Sequence, residues 1–166
     1  MMSIANFVLM MTALTTALIA GLFYAYACSV NPGLAQLADA EYIAAMKSIN
    51  IAIVNPVFMF SFMGTLLLLP LSTFLQYQHG VSTRFWFLLA ATLVYVIGTF
   101  GVTVAGNVPL NETLAHFDLQ SASPDVIARQ RADFELPWNR LHTIRTAAGI
   151  VSLVLVILAC LDRSGE

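Results

Sequence analysis

Four stretches of this chain contain no Lys, Arg, Asp or Glu: residues 1–38, 50–83, 85–109 and 146–161. Nothing else in the sequence constrains the fold as strongly. A hydrocarbon core about 30 Å thick is crossed by roughly 20 helical residues, each rising about 1.5 Å. The runs therefore predict four membrane spans, at about 4–28, 56–77, 85–106 and 138–161. They are continuous rather than alternating, which excludes the strands of a membrane barrel. Composition agrees: 59% of residues are hydrophobic and 10% charged, against about 25% charged in a soluble domain. That excludes a soluble globule and a disordered chain. Seven Lys and Arg in all are too few to track a phosphate backbone, so nucleic acid is excluded as a partner. The partner implied is the lipid bilayer, and association of copies stays open. The 166 residues read as one domain, an all-α four-helix transmembrane bundle with a short amphipathic helix and a polar loop cap.

The first run is expected to be a span and not a cleaved signal, because no Lys or Arg precedes it and it runs on through Phe23, Tyr24 and Tyr26. Asn31-Pro32-Gly33 is expected to end it. Residues 39–53 then place Tyr42, Met46, Ile49 and Ile53 at helical spacing, away from Glu41 and Lys47. Asn55-Pro56 opens the second span, and Pro70 should kink it. Pro109 predicts a tight turn after the third span, and Pro137 the first turn of the fourth. Ser123-Pro124-Asp125 starts a helix within the polar stretch 112–135, with Ser123 as its cap. Cys28 and Cys160 end different spans at opposite faces, so they are expected as free thiols buried like small hydrophobes. Arg84 and Arg163 flank the short second loop and the C-terminus. The other basic residues are spread among seven acids in loops one and three. By the positive-inside rule the expected orientation has both termini in the cytoplasm, as in a bacterial inner membrane.

Candidate chemistry gathers at one end of the bundle. Trp138, His142, Arg145 and Gly149 share one face of the fourth helix. Arg145 adjoins an uninterrupted apolar run, where an ionisable group normally faces the bundle interior. Two readings stay open. Arg145 either pairs with a loop acid or the lipid headgroups, or holds an anion in a pocket. Asn50, Asn55, Asn107 and Asn111 meet at the same end, as helix caps or as a shared polar pocket. His142 is a candidate general base, with the alternative of a structural histidine. His79, His116 and His142 do not form a metal-ligand pattern, so no metal or cofactor is expected, though a metal or haem at His116 and His142 stays open.

Four markers, taken in order, resemble a known family. They are Gly21-Leu22-Phe23-Tyr24-Ala25-Tyr26 leading to Asn31-Pro32-Gly33-Leu34-Ala35; Ala45-Met46-Lys47-Ser48-Ile49-Asn50 with Asn55-Pro56-Val57-Phe58; Gly106-Asn107-Val108-Pro109-Leu110-Asn111; and Trp138-Asn139-Arg140 with Arg145-Thr146. Together they resemble the anthrone oxygenase-like family of small four-span membrane proteins, in which most bacterial members are domains of unknown function. The resemblance implies the four-span fold. It also implies an activity: characterised fungal relatives oxidise polyketide anthrones to anthraquinones with O₂ and no cofactor. The family often has Asn where this chain has His142. On that footing the expected function is a cofactor-independent oxygenase acting on a small apolar aromatic substrate. His142 would be the base, Arg145 the cation for the oxyanion, and Trp138 with the asparagines the binding slot. The alternative from another class is a non-catalytic scaffold or small-ligand binder.

Overall fold

The structure is a computed structural model that describes residues 3–162; Arg163, used above for orientation, lies outside the described residues. It has five helices: α1 (Ile4–Leu34), α2 (Asp39–Ala52), α3 (Pro56–Gln78), α4 (Thr83–His116) and α5 (Pro124–Leu161). All but α2 are long and apolar enough to cross a membrane. Antiparallel succession closes them into a ring, α1 against α3, α3 against α4, α4 against α5 and α5 against α1. α2 lies across the open end, on α5 and the last turns of α4.

Local chemistry sets the helix starts. The Ser3 hydroxyl accepts from Asn6 N–H at 3.2 Å. The Asn55 side-chain oxygen accepts from Val57 and Phe58 N–H, both at 3.0 Å, with Pro56 in the first turn. The Ser82 hydroxyl accepts from Phe85 N–H at 3.4 Å, after a turn in which Gly80 takes φ 117°. Ser123 holds the extended conformation of a cap, but its hydroxyl makes no capping bond.

Three boundaries differ from expectation, each at a proline. α1 does not stop at Asn31-Pro32-Gly33 but runs to Leu34 through a π-helical stretch, Tyr26–Val30. α4 likewise passes Pro109 and reaches His116, after π-helical stretches at Tyr95–Gly101 and Thr103–Asn107. A proline lacks the N–H for an i−4 bond, and its ring collides with that carbonyl; a widened turn just before it relieves both. α5 begins at Pro124 and carries Pro137 in its interior. The helix survives there because Phe134 and Trp138, on either side, are both buried against α2. At 38 residues α5 is about 57 Å long, so its N-terminal part rises well beyond a bilayer.

The bundle is apolar outside, and its interior mixes hydroxyls with an apolar core of Ile19, Phe62, Leu69, Tyr95 and Val156. Thr12, Thr15, Thr16, Thr65, Thr99 and Ser152 are buried, while Phe7, Met10, Leu14 and Leu18 of α1 point outward. In lipid these hydroxyls have no water to bond, so they find partners among the helices. Thr12 meets Ser72 at 2.8 Å and donates to Leu68 O at 3.2 Å, joining α1 to α3. Thr73 meets Thr92 at 3.0 Å and Tyr95 donates to Phe62 O at 2.9 Å, joining α3 to α4. Ser152 donates to Ala91 O at 3.3 Å between α5 and α4. α4 and α5 pack tightly at Gly98, where an added Cβ would lie 2.6 Å from the Ala148 methyl. Cys28 and Cys160 are free, as expected, but exposed on the outer surface instead of buried.

α2 is held by Arg131. Its guanidinium bonds Asp39 at 2.9 Å, Glu135 at 2.7 Å and Leu37 O at 2.7 Å, and lies 4.5 Å from the Tyr42 ring centroid. Burial, then Glu135, pushes the Tyr42 phenol up, while Arg131 opposes them. Lys47 donates to Phe117 O at 2.8 Å.

Candidate functional site: an aromatic cavity around Arg145

Beneath α2 lies a cavity of about 120 Å³, several times the room one water needs. α1 supplies Leu22, Phe23 and Tyr26; α2 and its exit turn supply Ile49, Asn50, Ile53 and Val54; Phe58 comes from α3. α4 supplies Thr103, Val108 and Asn111, and α5 supplies Trp138 and Arg145. The continuation of α4 past Pro109 puts Asn107 and Asn111 one turn apart on a single helix, both facing Trp138.

Arg145 is the only charged residue in that lining, and it is 8% exposed. Its Cζ lies 4.6 Å from the Phe23 ring centroid and 4.9 Å from that of Trp138. Two aromatic faces thus flank the cation and offset part of the cost of removing it from water. Its Nε donates to His142 Nδ1 at 3.1 Å. Among the described residues no carboxylate comes within ion-pair distance of it. The loop-acid pairing belongs to Arg131 instead.

His142 is 1% exposed and both ring nitrogens are engaged. Because Nδ1 accepts from Arg145, Nε2 carries the proton and donates to Phe23 O at 3.1 Å. The ring stacks on Trp138 with centroids 5.2 Å apart and planes at 14°. Neither nitrogen is left to take a proton from a ligand, and His142 lines an outer groove with Asn31, Asn139 and Thr143, not the cavity. Trp138 Nε1 donates to Asn111 Oδ1 at 2.8 Å, and Asn107 Nδ2 donates to Trp138 O at 3.3 Å.

Of the expected residues, Trp138, Arg145, Asn50 and Asn111 are brought together at the cavity. Asn107 is fully buried behind Trp138, its Oδ1 without a partner; Asn50 Nδ2 is likewise buried and unpartnered. Asn55 stands apart, its oxygen on the α3 cap and its NH₂ on Ala52 O at 2.8 Å. Phe23, Tyr26, Phe58 and Thr103 are added by the structure. Phe23 and Tyr26 fall within the first marker segment, and their spacing of three was the available signal. His116 is exposed at the end of α4, away from the buried His142. Among the described residues no group of three or more His, Cys, Asp or Glu is placed to hold a metal. Outside the spans, the Ser121 hydroxyl and Gln120 N–H hold the Asp118 carboxyl below its ordinary range in a surface turn.

Fold and site together define a multi-pass helical membrane protein with a lone buried cation in an aromatic cavity. Compared with known families, residues 57–155 match the family described as anthrone oxygenase. The match covers more than half of the 166 residues and includes Asn107, Asn111, Trp138, His142 and Arg145, so the chain belongs to the anthrone oxygenase family. No curated protein and no solved structure matches it.

Proposed function

We propose that this protein is a membrane oxygenase that binds a small aromatic ketone as its enolate and lets O₂ oxidise it, with both termini on the cytoplasmic side. The observation that carries the reading is Arg145: buried, without a carboxylate partner among the described residues, and opening onto an otherwise uncharged cavity. Such a guanidinium retains a strong preference for an anionic oxygen. With Nε held by His142, its two terminal nitrogens are the donors left for that oxygen. The Asn111 NH₂, its oxygen already taken by Trp138, adds a neutral donor.

An anthrone illustrates the chemistry. Its ring methylene is acidic because the resulting carbanion is the enolate of an aromatic ketone. Arg145 favours that anion and so lowers the cost of losing the proton, which leaves to water. The electron-rich carbon passes electrons to O₂ and forms a C–O bond, giving a peroxide once protonated. Loss of the second C–H and cleavage of the O–O bond then release water and leave a carbonyl. One O₂ thus converts the methylene to C=O plus one H₂O. His142 serves here as the residue that positions Arg145.

The test is O₂ uptake by the protein in lipid nanodiscs with 1,8-dihydroxyanthrone, measured above the uncatalysed background. Arg145→Met is expected to lower the rate by about 10²-fold or more, the scale of a lost oxyanion donor. Arg145→Lys should fall between, since it keeps charge but not the planar fork. Uptake at background in the unmodified protein, with ligand binding intact, would favour the non-catalytic small-ligand binder.

A further inference from the structure

The cavity has two sides, and they differ in chemistry. Toward the outer groove it is closed: the stacked Trp138 and His142 rings and the Arg145 guanidinium stand between, and His142 is 1% exposed. That groove mixes Asn31, Asn139 and Thr143 with Ala27, Pro32 and Ala35. On the other side the lining reaches the surface at Val54 and Val108, which are 71% and 38% exposed. Around them Ile51, Val57 and Val104 are also exposed. A mouth rimmed by valine and isoleucine is unfavourable against water and neutral against acyl chains. Its height agrees. Arg145 is sixteen residues from the end of α5 at Leu161, a rise of about 24 Å. The cation therefore sits just inside a hydrocarbon core about 30 Å thick, with the mouth near the headgroup boundary.

We propose that the cavity opens sideways into the bilayer and takes an acidic amphiphile dissolved in the membrane, its oxyanion at Arg145 and its apolar body lying between Val54 and Val108. The proposal rests on Arg145 as an oxyanion holder, but not on oxygen chemistry. The occupant follows from complementarity: one unpaired cation at the inner end, apolar side chains along the way out, and no acidic residue in the lining to repel an anion. A water-soluble anion would have to cross the apolar rim, and a neutral hydrocarbon would leave the guanidinium without a counter-charge.

Fluorescence provides the test. The chain has two tryptophans, and Trp86→Phe leaves Trp138, 3% exposed and within the cavity wall. The probe is 2,6-dibromo-4-octylphenol, whose ring bromines make the phenol acidic and quench indole at short range. In nanodiscs at mildly alkaline pH it should quench Trp138. Its methyl ether at equal membrane concentration should bind at least about tenfold more weakly, the scale of a lost charge-assisted bond. Arg145→Met should bring the phenol down to the ether. Val54→Phe should weaken or slow quenching, and Thr143→Phe, in the outer groove, should leave it unchanged. The ether comparison needs no substitution at Arg145, so it holds even where that variant fails to fold. Equal quenching by phenol and ether, sensitivity to Thr143→Phe and not Val54→Phe, or no quenching by the phenol would each overturn the proposal. Intact quenching without O₂ uptake from 1,8-dihydroxyanthrone would overturn the oxygenase reading alone.

Discussion

At the scale of single residues, the site is a chain of side chains that each fix the next. Phe23 O orients His142, His142 orients Arg145, and Asn111 orients Trp138. The two ring nitrogens of His142 can be separated by substitution. Asn reproduces Nδ1 and its bond to Arg145, whereas Gln reproduces Nε2 and its bond to Phe23 O. His142→Asn is therefore expected to keep oxygen uptake within about threefold, and His142→Gln to lose roughly tenfold, the scale of one buried hydrogen bond to a charge. The reverse order would remove His142 from its role on Arg145. Asn55 has a different function: Asn55→Ala should cost about 1 kcal/mol of stability through the lost cap, with ligand affinity unchanged, read by thermal unfolding beside binding. Arg145, Trp138, Asn50 and Asn111 were legible in the sequence because polar and aromatic residues at the end of an apolar run need partners. Phe23 and Tyr26 were not singled out: their spacing of three puts them on one face, but on a helix apolar all round that does not tell the lipid face from the core.

At the scale of elements, the sequence located every span but misplaced three ends, all at prolines. Pro32 and Pro109 read as stops because the usual α-helix cannot house them; the π-helical turns that accommodate them have no compositional signature. Pro137 read as a start, and only the burial of Phe134 and Trp138 on both sides explains why α5 continues through it. Two glycines of α4 differ in what an added Cβ would face. Gly98 meets the Cβ of Ala148, which has no rotamer to change, while Gly106 meets the flexible end of Leu141 at 2.8 Å. Gly98→Ala is therefore expected to destabilise by about 1–3 kcal/mol through overpacking, and Gly106→Ala by clearly less. Equal shifts in melting temperature would contradict that difference. Arg131→Met should release α2, seen as faster amide exchange across Asp39–Ala52 than in the four long helices.

At the scale of the whole molecule, four crossings place the α3–α4 turn on one side of the membrane and the cavity's polar cap on the other. With Cys28 and Cys160 replaced by Ser, a thiol-specific, membrane-impermeant label should reach the thiols of His79→Cys and Ser121→Cys from opposite sides; reaction of both from one side would refute the fold. The arrangement keeps hydroxyls inside, lipid-facing leucines outside, and the buried Arg145 guanidinium where the bundle begins to open. Composition alone announced the membrane, and the four uncharged runs the number of spans. The isolation of Arg145 was not legible, because only the fold shows that Asp39 and Glu135 pair with Arg131. The central claim is that Arg145 waits for a ligand's oxyanion. The most direct measurement is an experimental map of the protein in lipid with a bromo-substituted 1,8-dihydroxyanthraquinone bound. The account predicts the bromine density beside Trp138 and Phe23, with a ligand oxygen within hydrogen-bond range of the Arg145 terminal nitrogens. Ligand bound in the outer groove instead, or Arg145 found paired with one of the chain's own carboxylates, would contradict it.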